Sequence, residues 1–338
     1  MGVKRKIQET EVHFILGKER TGSTLLSALL NNSPEVLSVI EETFIVYLFN
    51  KYGTTKFWDD KTILNFYHDF LLLNKQKIGY YYHFPEDTRE KLLGIVDRNF
   101  TYEQMCKYMH LLFAKIDWEI TTIIDKQVEL MFFVGDLLNI FPKSKFVVLL
   151  RDPRDNVEAC VRRGLGRELG LVYQSELWNL YYKNVVDYLD DPRFLFVTYE
   201  DLINSPESVL RKVTTHFNLP YSNDILGEIV IDENIFGKDL KGEQSFNDFH
   251  QGMNGGINKN KVGAYRDKFS KKEILKINDI TGGVANHFGY EIPYSKETVN
   301  WRERVEVIRA LIKKKWLLNL YYVLPISLKL YIKKRAKK

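Results

Sequence analysis

Short apolar runs punctuate this chain, and most are followed by a polar turn and a stretch of helical period. Val12–Leu16 is the first run, suited to a strand buried on both faces. Ser23–Asn31 follows on a helical period and ends at Asn31-Asn32-Ser33-Pro34, a stop signal. Val36–Ile40 reads as a second short strand leading into Glu41-Glu42-Thr43. Residues 44–118 are rich in aromatics and predict several helices. Ile120–Ile124 is β-branched and predicts a strand, and Leu130–Phe141 predicts a helix stopped by Pro142. Lys145–Leu150 is the clearest buried strand; it meets Arg151-Asp152-Pro153 and then a helix through Arg163. Phe194–Thr198 predicts another strand, with Tyr199-Glu200 at its end. Ser205-Pro206-Glu207 has the order of a helix start: a capping serine, proline at the first position, an acid in the first turn.

Strands alternating with helices predict an α/β fold, a mostly parallel sheet flanked by helices. Ligands of such sheets bind at the carboxyl ends of the strands. Three of those ends carry the most reactive side chains of the chain: Gly17–Thr24, Arg151-Asp152-Pro153-Arg154 and Tyr199-Glu200. Residues 232–262 are polar and glycine-rich, and predict a long mobile loop, a candidate lid.

The first strand end spells GKERTGST. It nearly matches the phosphate loop G-x-x-x-x-G-K-[ST], but Ser23 stands where the lysine should be. Arg20 sits inside the loop instead. A helix starting at Gly22–Ser23 points backbone N–H groups and a partial positive charge into the loop, which favours an anion. Ser23 and Thr24 add hydroxyl donors, and Arg20 offers a planar fork for two oxygens of one group. A nucleotide triphosphatase would also need the loop lysine and an acidic magnesium ligand. On this loop alone, an ordinary strand–turn–helix corner with a surface arginine competes with an anion site.

Three blocks in order, RTGSTLLSALLNNSPEVLSVIEET, FPKSKFVVLLRDPRDNVEACVRR and TYEDLINSPESVLRKVTTHFNLP, widen the comparison. Together they resemble the sulfotransferase family, closest to its tyrosylprotein-sulfotransferase-like branch, over roughly residues 12–290. The resemblance implies a P-loop-like fold and 3′-phosphoadenosine 5′-phosphosulfate (PAPS) as sulfuryl donor and co-substrate, with no metal. It implies that Lys18, Arg20, Thr21, Gly22, Ser23 and Thr24 hold the 5′-phosphosulfate, with Arg20 as the catalytic cation. Arg151 matches the arginine of the 3′-phosphate site, whose usual serine partner is replaced by Ala159. Arg163 and Tyr199 join that site by the same likeness, and Lys259 and Lys261 match a basic segment that closes over it. Glu42 matches the general base, with Glu41 an alternative. Lys126 matches the lysine that stabilises the leaving phosphate. A P-loop kinase and a non-catalytic PAPS- or PAP-binding protein are the rival readings.

Composition adds an asymmetry. The chain of 338 residues carries a net charge of +5, yet from Trp301 onward there are twelve Lys or Arg and two Glu. That segment holds +10, leaving the first 300 residues near −5. The organisation expected is a sulfotransferase domain over 8–295 and a basic, amphipathic helical tail over 296–338. Cys106 and Cys160 lie in no metal-ligand spacing, and the charged start MGVKRKIQETEV is neither signal nor anchor. A cytoplasmic protein, peripheral at the membrane if the tail binds it, is the expectation. Residues 316–332 fall short of the ~20 apolar residues of a membrane span. Three readings of this stretch compete: an amphipathic hairpin lying on an anionic membrane surface, ordinary helices packed on the body through Trp316, Leu317, Tyr321 and Leu324, or a nucleic-acid contact. No base-reading motif accompanies the charge, so nucleic acid is not expected as a partner. The acceptor hydroxyl is open among sterol, lipid, phenol, sugar and peptide. Aromatics such as Phe44, Tyr47, Trp58 and Phe66 suit an apolar acceptor or a plain core equally. The number of copies is open too, a homodimer included.

Overall fold

The computed structural model describes residues 3–40, 44–74, 87–95, 97–113, 119–164, 170–227, 261–293, 300–325 and 328–329. After a short helix α1 (Val3–Glu9), strand β1 (Glu11–Leu16) runs into helix α2 (Ser23–Leu30) and strand β2 (Val36–Ile40). Helices α3 (Ile45–Tyr52), α4 (Asp60–Asn74), α5 (Thr88–Ile95) and α6 (Tyr102–Phe113) then lead to β3 (Thr122–Lys126). Next come α7 (Val134–Ile140), β4 (Phe146–Leu150), α8 (Pro153–Arg162), α9 (Gly170–Tyr182) and β5 (Phe194–Thr198). The chain closes with α10 (Tyr199–Asn204), α11 (Pro206–His216), α12 (Tyr265–Lys268), α13 (Lys271–Ala285) and α14 (Trp301–Val323).

The five strands form one parallel sheet in the order β2-β3-β1-β4-β5. Apolar side chains on both faces of each strand explain why helices cover both sides. On one face Ile15, Val147 and Leu149 pack with Leu26 and Leu29 of α2 and Leu210 and Val213 of α11. On the other, Phe14, Phe146 and Val148 pack with α7 and with Trp178 and Tyr182 of α9. Chain from β1 and chain from β4 therefore leave toward opposite faces, which opens a crevice between the carboxyl ends of these neighbouring strands.

Several expectations shift by a turn or a strand step. The third strand is Thr122–Lys126 rather than Ile120–Ile124, because its register is set by β1 and β2: Lys126 pairs with both Ile15 and Ile40. The helix expected over Leu130–Phe141 divides into a 3₁₀ turn, Glu129–Phe132, and α7, with Phe133 out of helical geometry between them. Ser205 occupies the cap position of α11 but its side chain makes no capping bond. The glycine-rich stretch read as a lid lies almost wholly outside the described residues.

The tail helix packs on the body by one face. Val307 and Leu311 of α14 are buried in the main core, and Arg304 Nε bonds Glu176 Oε1 of α9 at 2.5 Å. Tyr321 and Tyr322 meet the Tyr47 ring at 5.6 and 6.4 Å, and Lys329 Nζ donates to the Tyr47 and Tyr322 carbonyls at 3.1 and 3.0 Å. Of the contact residues expected, Tyr321 packs, whereas Trp316 and Leu317 are exposed. Leu311→Ala should cost about 2–4 kcal/mol, the range for truncating a buried leucine. A denaturant midpoint unchanged by that substitution would show that α14 does not share the core's stability.

Candidate active site

Gly17–Thr24 connects β1 to α2 at the carboxyl edge, and its shape follows from two residues with positive φ. Gly22, the residue before α2, sits at φ 87°. A Cβ on Gly22 would lie 2.5 Å from Cδ2 of Tyr199, so the position excludes side chains on two counts. Arg20 has φ 69°, an uncommon conformation for a residue with a Cβ. Its backbone is held by others: Arg151 Nη1 donates to the Arg20 carbonyl at 2.8 Å, and Asn156 Nδ2 donates to the Glu19 carbonyl at 2.9 Å. Thr21 Oγ1 closes the turn on the Lys18 carbonyl at 2.8 Å. No side chain caps α2, so its first N–H groups face the loop without a capping oxygen.

The expected site residues divide into those this edge gathers and those it does not. Arg20, Thr21, Gly22, Ser23, Thr24, Arg151 and Tyr199 share the crevice after β1, β4 and β5. Tyr199 forms its floor, with its ring against Gly22 and under the Arg151 guanidinium at 4.5 Å. Lys126 is the last residue of β3, buried between the ends of β1 and β2. Arg163 caps the C-terminal end of α8. The Lys261 carbonyl accepts from Arg151 Nη2 at 2.8 Å, which brings the segment after residue 260 over the crevice. Lys18 departs from its expected role: its side chain is fully buried, and its ammonium donates to Gln174 Oε1 at 2.9 Å and Cys160 Sγ at 3.1 Å. It braces the loop against α8 and α9 rather than opening to a ligand. Glu41, Glu42 and Lys259 lie outside the described residues.

Several cations act on one another around this loop. Burial, and then the charges of Arg163, Arg151 and Arg162, push the Arg20 pKa down. Lys261 is pushed down by burial and by Arg20, Arg151, Arg162 and Arg163. Arg151 is buried, its described partners are two carbonyls rather than carboxylates, and its Nε has no hydrogen-bond partner. Cations that crowd one another at a glycine loop suit a multiply charged anion, although Arg162 is also paired with Glu158 at 2.9 Å.

Sequence reading missed the residues that hold this arrangement. Asp155 accepts from the backbone N–H groups of Gly263 and Tyr265 at 2.6 and 3.0 Å and so fixes the Lys261 segment against α8. Glu200 accepts from Asp152 N and the Tyr290 hydroxyl, both at 3.0 Å, and burial raises its pKa. The only local signal for Asp155 was an acid in the first turn of a helix, which many helices carry. Of the aromatics weighed as an acceptor surface, Phe44, Tyr47, Trp58 and Phe66 are core, with Phe44 edge-on to Phe70 at 5.0 Å and Trp58 to Phe66 at 5.4 Å, whereas Phe57 is exposed. Tyr80, Tyr81 and Tyr82 lie outside the described residues.

Known proteins bear on this geometry. The family model described as "Sulfotransferase family" matches residues 13–223, and a "Sulfotransferase domain" model matches 169–289. Protein-tyrosine sulfotransferase A of Caenorhabditis elegans is 28% identical over 111 residues, covering 31% of this chain and 28% of that protein. The chain thus matches little more than a quarter of that relative's length. The sulfotransferase domain of the Synechococcus PCC 7002 olefin synthase superposes with a TM-score of 0.57 at 21% identity, over 84% of this chain and 97% of that one. The sulfotransferase domain from the curacin biosynthetic pathway gives 0.55 at 18% identity, over 84% and 99%. These two structures share the fold.

Proposed function

The chain belongs to the sulfotransferase family, and from that premise we propose that it is a PAPS-dependent sulfotransferase acting on an acceptor hydroxyl. The observation that carries the reading is the cation crowd of Arg20, Arg151, Arg162, Arg163 and Lys261 at the mouth of a glycine loop that opens a helix. A donor with a phosphosulfate at one end and a phosphate at the other matches two such groupings. The α2 N–H groups, Ser23 and Thr24 would take the phosphosulfate, and Arg151, Arg163, Lys261 and Lys259 the 3′-phosphate. Lys18 anchors the loop from beneath, through Gln174 and Cys160.

The chemistry is an in-line transfer. The acceptor oxygen forms a bond to sulfur as the bond from sulfur to the phosphate oxygen breaks, and the hydroxyl proton passes to a base. Negative charge grows on the leaving phosphate, so catalysis is positioning plus cations aimed at that oxygen. Arg20 and Lys126, after β1 and at the end of β3, are the cations, and Glu42, two residues past β2 in the sequence, is the base. The strand order, with β3 between β2 and β1, supports grouping these residues. The acceptor class is open among small-molecule, lipid and peptide hydroxyls.

Calorimetry with 3′,5′-adenosine bisphosphate beside ATP and magnesium tests the site. The bisphosphate should bind and ATP should bind far more weakly; the reverse order would favour a kinase. Binding should also take up protons at alkaline pH. The free site holds Lys261 below the ordinary lysine pKa, and an anion favours its charged form. Affinity should therefore fall as pH rises through that lowered value, and Lys261→Met should flatten the dependence. Radiolabelled PAPS with an acceptor panel then tests transfer. Glu42→Gln should abolish it without weakening the bisphosphate; an active variant would remove Glu42 from the base role.

A further inference from the structure

Helix α14 buries one face on the body and leaves the other bare. Along that bare face Ile312, Trp316, Leu320 and Val323 recur at helical spacing, with Leu317 beside them and Trp301 at the start. Ile312 and Trp316 are 63% and 61% exposed, so these are whole apolar side chains in water. The buried stripe of Val307 and Leu311 lies on the opposite side, which fixes the helix rotation. At 23 residues the helix is about 35 Å long. Apolar surface of this extent on a soluble body is otherwise covered by a partner or a membrane.

Charge decides between them. Arg302, Glu303 and Glu306 make the first turns mixed, but beyond them α14 carries only cations: Arg309, Lys313, Lys314 and Lys315. Arg309 and Lys313 are exposed on the same side as the apolar stripe, interleaved with it rather than forming a rim. A protein interface depletes lysine from its apolar centre. A bilayer surface accepts that mixture, because apolar groups enter the acyl boundary while lysine and arginine stems reach back to the headgroups. Among the described residues no helix is long and apolar enough to cross a membrane, which fits a helix that lies on one. Lys333, Lys334, Arg335, Lys337 and Lys338 add cations further along the sequence.

We propose that the outer face of α14 docks this protein on an anionic lipid bilayer, with Trp316 at the centre of the contact. Docking orients the body as well, since α14 is fastened to α3 and α9 by its inner face. This inference stands whether or not the chain transfers sulfuryl groups, since it rests on a surface away from the loop.

The test is flotation of the full chain with phosphatidylglycerol–phosphatidylcholine vesicles beside phosphatidylcholine alone. Binding to the anionic vesicles, release by salt, and a blue shift of tryptophan emission are expected. Arg309→Gln with Lys313→Gln should weaken partitioning roughly 30-fold, a factor of about five for each basic group near the surface. Trp316→Ser should weaken it on the order of tenfold and leave the melting temperature unchanged, because that side chain makes no core contact. Equal binding to neutral vesicles, no binding at all, or full binding by these variants would overturn the proposal. So would a dimer in light scattering that Trp316→Ser dissociates, since a second copy would then own the face.

Discussion

Arg20→Ala should lower the turnover number on the order of 100-fold or more while moving the donor Michaelis constant only a few-fold. The asymmetry follows from how the site is built. On the proposed reading, ground-state binding of a multiply charged donor would be shared among the α2 N–H groups, Ser23, Thr24, Arg151 and Lys261, so the loss of one cation would be tolerated. The charge that appears on the leaving phosphate has few nearby cations to answer it, and Arg20 stands inside the loop that holds that end. Arg20 is also partly buried, and a charge in such a place acts through a lower effective dielectric than one in solvent. The substitution spares the backbone contacts at this position. The positive φ at this position strains alanine as it strains arginine, and the bond from Arg151 reaches the backbone carbonyl, which remains. The melting temperature should therefore hold. Arg20→Lys should recover part of the rate, since it restores charge without the planar fork. A loss confined to the Michaelis constant would make Arg20 a binding residue and leave Lys126 alone as the catalytic cation.

The sheet was legible because its strands are runs with one meaning. Phe146–Leu150 is apolar at every position, β-branched in the middle and bounded by Pro142 and Pro153, which favours a buried strand over a helix. Strand β3 was misplaced for the opposite reason. Its last two residues, Asp125 and Lys126, are polar, and only pairing with β1 and β2 makes them strand. That polar end is what delivers Lys126 to the carboxyl edge, so the misreading fell on a site residue. The loop announced itself through Gly22 and Arg20, but the direction of Lys18 did not. Its partners lie 142 and 156 residues away, and no local pattern encodes such contacts. The same holds for Asp155 and its bonds to residues 263 and 265. The tail gave a divided signal because α14 has apolar residues on both sides. One set is core, as the packing reading expected, and the other is exposed, the face for which we propose a membrane.

Gly22→Ala should remove donor binding almost completely, and the effect should be larger than its one methyl group implies. Two penalties coincide at this residue. A φ of 87° is readily adopted by glycine and costs an alanine roughly 1–2 kcal/mol. The added Cβ would also lie 2.5 Å from one carbon of the Tyr199 ring and 2.9 Å from the next, contacts that a real Cβ does not make. Something must move, and each choice damages the site. If the loop yields, the α2 N–H groups leave their aim. If the ring yields, it abandons the Arg151 guanidinium that rests 4.5 Å above it, and Arg151 in turn holds the Arg20 and Lys261 carbonyls. The glycine loop, the Arg20 backbone and the Lys261 segment are thus coupled through one ring. Calorimetry with 3′,5′-adenosine bisphosphate should show at least a 100-fold loss of affinity, about 2.7 kcal/mol. The double variant Gly22→Ala with Tyr199→Leu separates the penalties. It frees the space but keeps the strained φ, and it loses the stacking surface, so only a fraction of the affinity should return. Full return would mean that the clash alone matters and that the Tyr199–Arg151 stack is dispensable. Wild-type affinity in the single variant would mean that this loop does not hold the anion.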